Sequence, residues 1–220
     1  MRNGFPILLL VGFAFAQTPS VSVVPVTATI VNTQSKKLPN GDTVENTTIG
    51  KYYRDGQGRT RTEQGNRIVI QEPSTRTTIT LDISAKTARF SSPSGDTAQA
   101  SAAAVKEMTS ARDAANRSRI QKKPTVSLGT RTIEGVETEG YQAEIIVPVG
   151  AFYNIAPIRQ VSELWQSRTL RLPILMKVSD RVSGDRTTLY KDIVTDAQID
   201  PALFTVPSDY QVIGAAPVGQ

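Results

Sequence analysis

The sequence predicts a mainly β (α+β) domain, an antiparallel sheet with one central helix covering a face or an end. Two observations carry this. From Val23 to Ser91, and again from Leu128 to Val194, the chain is made of short runs rich in β-branched and aromatic residues, each closed by Gly, Pro, Ser or Asp. The links between runs are too short for crossover helices, so neighbouring strands should run antiparallel. Between the two meanders, over 92–124, the composition changes. Asp96 can cap a helix over Thr97–Asn116 that places Ala98, Ala102, Val105, Met108, Ala111 and Ala115 on one face.

The chain opens with Arg2, an apolar run, and Ala14-Phe15-Ala16, the small-x-small pattern of a signal-peptidase site. The run is shorter than the ~20 residues of a membrane span. The expectation is a signal peptide over 1–16, cleavage before Gln17, and a single exported β-rich domain over 17–220, soluble in the periplasm or outside the cell. No transmembrane segment is expected in the mature chain. Cys is absent, so no disulfide can stabilise the fold even in an oxidising compartment. The 25 Lys and Arg are interspersed with 20 Asp and Glu, which offers no basic face for nucleic acid.

In the first half, Val24, Val26, Ala28 and Ile30 alternate with more polar positions, and Asn40-Gly41 marks a hairpin loop. Thr43–Arg54 continues as a strand. Arg59–Glu63 reads as a polar strand facing solvent, followed by Ile68–Ile70. Thr77, Ile79, Leu81 and Ile83 alternate with Thr78, Thr80 and Asp82 as a half-buried strand, and Thr87–Ser91 closes a meander of about six strands.

In the second half, Glu134-Gly135 and Ser183-Gly184-Asp185 are turns. Tyr141, Ala143, Ile145 and Val147 share one strand face. Leu170, Leu172, Ile174, Met176 and Val178 form another that is unbroken, with Pro173 implying an edge or a bulge. Glu163 shares a face with Val161 and Trp165, and pairing with an arginine such as Arg131 or Arg159, or a place at a sheet edge, is the plain reading for it. Asp200-Pro201 should cap a short helical turn whose Leu203 and Phe204 plug one end of the core. The tail 214–220 reads as disordered. Ile79, Leu81, Ile145, Leu172 and Ile174 are expected to be buried.

The chain has no His and no Cys, which removes imidazole and thiol catalysis and His-ligated zinc. No phosphate-cradling glycine loop occurs. No cofactor and no metal site are expected, and a catalytic role is not; a carboxylate pair could still serve a glycosidase.

Gly129-Thr-Arg-Thr-Ile-Glu-Gly-Val136, the Glu163-Leu-Trp165-Gln-Ser strand, and Ile199-Asp-Pro-Ala-Leu-Phe204-Thr-Val-Pro207-Ser-Asp-Tyr210 occur in that order. Together they resemble the outer-membrane lipoprotein carrier (LolA-like) superfamily, over roughly 128–212. The resemblance implies a strongly curved, unclosed half-barrel whose concave apolar face is covered by helices and can hold acyl chains. It points to a non-catalytic binding protein for a lipid, a lipoprotein or another apolar ligand, with Tyr141, Ile145, Trp165, Leu172, Ile174, Met176 and Met108 as the contacting residues. The alternative is a structural or protein-interaction module of the cell envelope, its concavity filled by its own side chains and its partners other envelope proteins.

Overall fold

A computed structural model describes residues 23–91, 119–151 and 154–213. The expected helix over 97–116, with Met108, the segment 1–16 and the tail 214–220 lie outside the described residues.

The described chain is one open, curved, antiparallel-rich sheet. Its strands are β1 (Val26–Lys37), β2 (Thr43–Arg54), β3 (Thr60–Gln64), β4 (Arg67–Glu72), β5 (Thr77–Asp82) and β6 (Thr87–Ser91) in the first half. The second half adds β7 (Gln121–Lys122), β8 (Val126–Ile133), β9 (Val136–Val147), β10 (Ile158–Ser167), β11 (Leu172–Asp180), β12 (Gly184–Thr195) and β13 (Gln211–Ile213). The spatial order is β13-β6-β5-β4-β3-β2-β1-β12-β11-β10-β9, with β7 and β8 both on the outer side of β9. Both meanders form as the short connections require. They are joined by the pairing of β1 with β12, from Val26↔Thr195 to Ser35↔Asp185. Among the described residues the one parallel pair is β13 with β6.

The sheet buries its two sides in different places. From β1 to β6 the registers contain no shift, so faces can be followed from strand to strand. Val26, Ala28, Ile30 and Tyr52 point to one side and join Leu170, Leu172 and Ile174 in a first core. Tyr52 meets Tyr190 edge to face, with centroids 5.4 Å apart. Burial pushes the Tyr190 phenol up to about 12, and the neighbouring Tyr52 adds to the shift. Ile68, Ile70, Ile79, Leu81 and Ala88 point to the opposite side and form a second core with Phe204. That side is covered by the returning C-terminal segment, where Asp200 Oδ1 accepts from the Ala202 N–H at 2.9 Å to cap the 3-10 turn Pro201–Phe204. The turn plugs the core as its sequence foretold.

Three expectations need correction. Arg61 of β3 does not face solvent: it is buried, donating to Glu63 at 2.6 Å and to the Leu203 carbonyl at 2.7 Å. Beside it the Arg59 guanidinium lies 4.7 Å from the Phe204 ring centroid. Polar side chains thus line the wall of the second core because the incoming turn supplies a carbonyl and an aromatic face. Ile145 is half-buried, since no described element covers its side of β9. The apolar face of β11 is not evenly buried: Leu172 and Ile174 are enclosed, whereas Met176 and Val178 are only half-buried. Trp165 pairs with Leu175 and Gln166 with Pro173, so Ile174 is an extra residue, a bulge at which Ile174 and the adjoining Leu175 are both buried. Pro173 therefore marks a bulge in an internal strand rather than an edge.

Candidate functional site

Beyond the bulge, β9, β10, β11, β12 and β1 continue as a wing with both faces partly open. Register places its side chains. Tyr141, Leu164, Met176, Thr188 and Asn32 lie in one row across the five strands. The next row is Ala143, Ser162 and Val178, and beyond it come Ile145, Gln160 and Asp180. All of these except Asn32 and Thr188 belong to β9–β11, and each is half-buried. The result is an apolar strip of Tyr141, Ala143, Ile145, Leu164, Met176 and Val178 on one face.

Polar groups with their own partners border the strip. Thr188 Oγ1 donates to Asn32 Oδ1 at 2.6 Å on one flank. Gln160 Nε2 donates to Asp180 Oδ2 at 3.4 Å at one end. At the other end the Tyr141 hydroxyl donates to Glu139 Oε2 at 2.8 Å, and Arg168 Nε bonds the same oxygen at 2.6 Å. The strip is thus an apolar floor whose polar rim is hydrogen-bonded within itself.

The expected contact residues do not form one surface. Tyr141, Ile145 and Met176 lie together on the strip. Trp165 points to the opposite face, since it pairs with Gly140 and alternates with Leu164. Leu172 and Ile174 lie past the bulge and are spent on the first core. Met108 is outside the described residues. Leu164, Ala143 and Val178 belong to the strip as well. Alternation within each strand already separated Leu164 from Trp165, but only the inter-strand register shows that Leu164 and Met176 are neighbours.

On the opposite face Trp165 itself is buried. Gly140 leaves room for the indole, because a Cβ there would come within 2.6 Å of the ring. The Arg131 guanidinium stacks 3.9 Å from the ring centroid on the ring. Glu163 accepts from the Trp165 indole N–H and pairs with Arg131 at 3.7 Å. Glu163 is therefore held between an arginine and an indole, as the plain reading of its neighbours had it. Further along the same face, Glu144 is gripped by Arg159 at 2.8 Å and Lys123 at 2.6 Å, which ties the segment after β7 and the start of β10 to β9.

These partners hold the Glu144 carboxyl down at about 2, below its ordinary 4.5, chiefly through the Arg159 hydrogen bond and then that of Lys123. A depressed carboxylate pKa means the tie is complete above the unfolded-state value near 4.5 and is lost as pH falls through about 2. A carbon-detected NMR titration should find Glu144 still ionised at pH 3.5. Half-protonation near its ordinary value would show that the triad does not form in solution.

Comparison with known proteins finds no matching family model and no matching curated protein. Solved structures do match. The lipoprotein LppX of Mycobacterium tuberculosis is 13% identical, covering 80% of this chain and 89% of that one, with a TM-score of 0.32. LprF from Mycobacterium bovis is 12% identical over 85% and 90% of the two chains, with a TM-score of 0.33. A LolA superfamily protein from Nitrosomonas europaea is 11% identical over 84% and 90%, with a TM-score of 0.27.

Proposed function

We propose that this chain is an exported, non-catalytic binding protein that holds the acyl chains of a lipid or lipoprotein against the Tyr141–Leu164–Met176 strip. One observation carries the reading: six half-buried apolar side chains are aligned by register on one face of β9–β11 that no described element covers, bordered by polar groups that already have partners. A sheet face that served only as structure would be expected to be covered by the chain's own core. Covering apolar surface contributes roughly 0.8 kcal/mol per buried methylene, so a long acyl chain along this strip gains enough to bind. The motif resemblance points to the same ligand class.

Titration with a fluorescent fatty acid tests this. Met176→Glu or Leu164→Glu should weaken binding roughly tenfold or more, since an acyl chain would bury an unpaired carboxylate. Trp165→Phe should leave the affinity within about threefold, because that side chain lies on the far face. Equal affinities for wild type and both Glu variants would remove the strip from consideration.

A second reading is favoured by β8. Its residues 126–132 are exposed, including Val126 and Leu128, and among the described residues it pairs only with β9. An open edge of this length can accept a strand from another envelope protein. Under that reading a proline at an outward-facing N–H of β8 would abolish partner capture and leave fatty-acid binding intact.

A further inference from the structure

Three hairpin connections meet at one end of the wing: 38–42 between β1 and β2, the described residues 148–151 and 154–157 between β9 and β10, and 181–183 between β11 and β12. The pairings Ser35↔Asp185, Gln160↔Asp180 and Ile158↔Val147 set them side by side. Between the first and the last lies an open cleft of about 490 Å³ whose walls carry Lys36, Lys37, Arg159 and Arg181, with Asp180 and Asp185. The β11–β12 turn closes tightly on β1: Gly184, at φ +82°, lies against the Ser35 carbonyl where any side chain would collide.

The two carboxylates of the cleft are already engaged. Asp180 Oδ1 accepts from the Val182 and Ser183 N–H groups at 2.8 and 2.7 Å, and Asp185 accepts from the Ser179 hydroxyl at 2.5 Å. Lys36, Lys37 and Arg181 are exposed and make no ion pair with any described residue. Their field is therefore available to an anion. The same end carries exposed apolar side chains on its turns: Leu38, Val149, Val182 and Ile155, the last 95% exposed. The turns at the other end of these strands, 134–135 and 168–171, have no exposed large apolar residue.

Cations beside exposed aliphatic tips suit a bilayer surface, where phosphates meet the charges and the tips enter the headgroup layer. A nucleic acid would find no aromatic stacking platform in the cleft. We propose that this end of the sheet docks on an anionic phospholipid membrane, lipid phosphates occupying the Lys36–Lys37–Arg181 cleft and Leu38, Ile155 and Val182 entering the headgroup region. The proposal stands independently of whether the strip on β9–β11 takes a ligand.

Co-sedimentation of the full chain with phosphatidylcholine vesicles, with and without phosphatidylglycerol, is the test. Binding is expected only with phosphatidylglycerol present. The triple variant Lys36→Glu, Lys37→Glu, Arg181→Glu should weaken it at least about tenfold. Leu38→Ser with Val182→Ser should lower it as well, at the cationic cleft's full charge. Both variants change exposed turn and strand-end positions, so their thermal midpoints and fatty-acid affinities should stay at the wild-type values, which separates this proposal from the ligand reading. Absence of vesicle binding, equal binding to both vesicle types, or binding indifferent to the charge reversal would overturn it. Saturable binding of inorganic phosphate without vesicle binding would do so too, reassigning the cleft to a free anion.

Discussion

Ile174→Ala should lower the unfolding free energy by about 2–5 kcal/mol, read as a shifted urea midpoint with an unchanged slope. Ile174 is fully buried at the bulge of β11 and touches the core formed by Val26, Ala28, Ile30 and Tyr52. Its removal leaves a cavity where β11 leaves the open wing and enters the packed part of the sheet. Two positions along the same strand, Met176 is half-buried on the strip. Met176→Ala should cost less than about 1.5 kcal/mol, because the space it leaves is open to solvent. Equal costs for the two would mean that the strip is packed like a core and unavailable to a ligand.

Arg54→Met should cost about 2–4 kcal/mol, although Met keeps much of the apolar stem. Arg54 is 5% exposed and its guanidinium joins separate parts of the chain: Nη2 donates to the Leu170 carbonyl at 2.7 Å and to that of Val24 at 3.0 Å, and Nη1 to that of Arg171 at 3.4 Å. The residue thereby pins the β10–β11 turn and the leader of β1 to the end of β2. Met leaves those carbonyls without their donor. Arg54→Lys should rescue only part of the loss, since one ammonium cannot reproduce the planar fork that reaches all three. Full recovery by Lys, measured in the same urea titration, would show that the charge matters and the geometry does not.

Much of the strand pattern could be read from local chemistry. Thr77–Asp82 alternates cleanly, although Ile83, expected on the same face, is exposed; Asn40-Gly41 and Ser183-Gly184 form turns, and Asp200-Pro201 starts a capped turn, because each is governed by residues a few positions apart. The plain pairing of Glu163 with Arg131 was also within reach, since both lie on strands that flank β9. The site was less legible. Alternation assigns a residue to one of two faces of its own strand, yet says nothing about which face of the neighbour it joins; that depends on register. Trp165 and Tyr141 therefore looked like companions and proved to lie on opposite sides. Alternation also could not show that Leu172 and Ile174 are enclosed by the first core while Met176 and Val178, farther along the same strand, are only half-buried. The solvent assignment of Arg61 failed for a related reason: its partners, the Leu203 carbonyl and the turn that brings it, arrive from 142 residues away.

The central claim is that an acyl chain lies on the Tyr141–Leu164–Met176 face. A fatty acid carrying a diazirine on its chain, irradiated with the folded protein and followed by peptide mass mapping, tests it most directly. Adducts are expected on Tyr141, Ala143, Leu164 and Met176, with labelling competed away by unmodified fatty acid. Adducts concentrated on Trp165, Glu163 and Lys177, which lie on the reverse face, or labelling that excess fatty acid does not suppress, would contradict it.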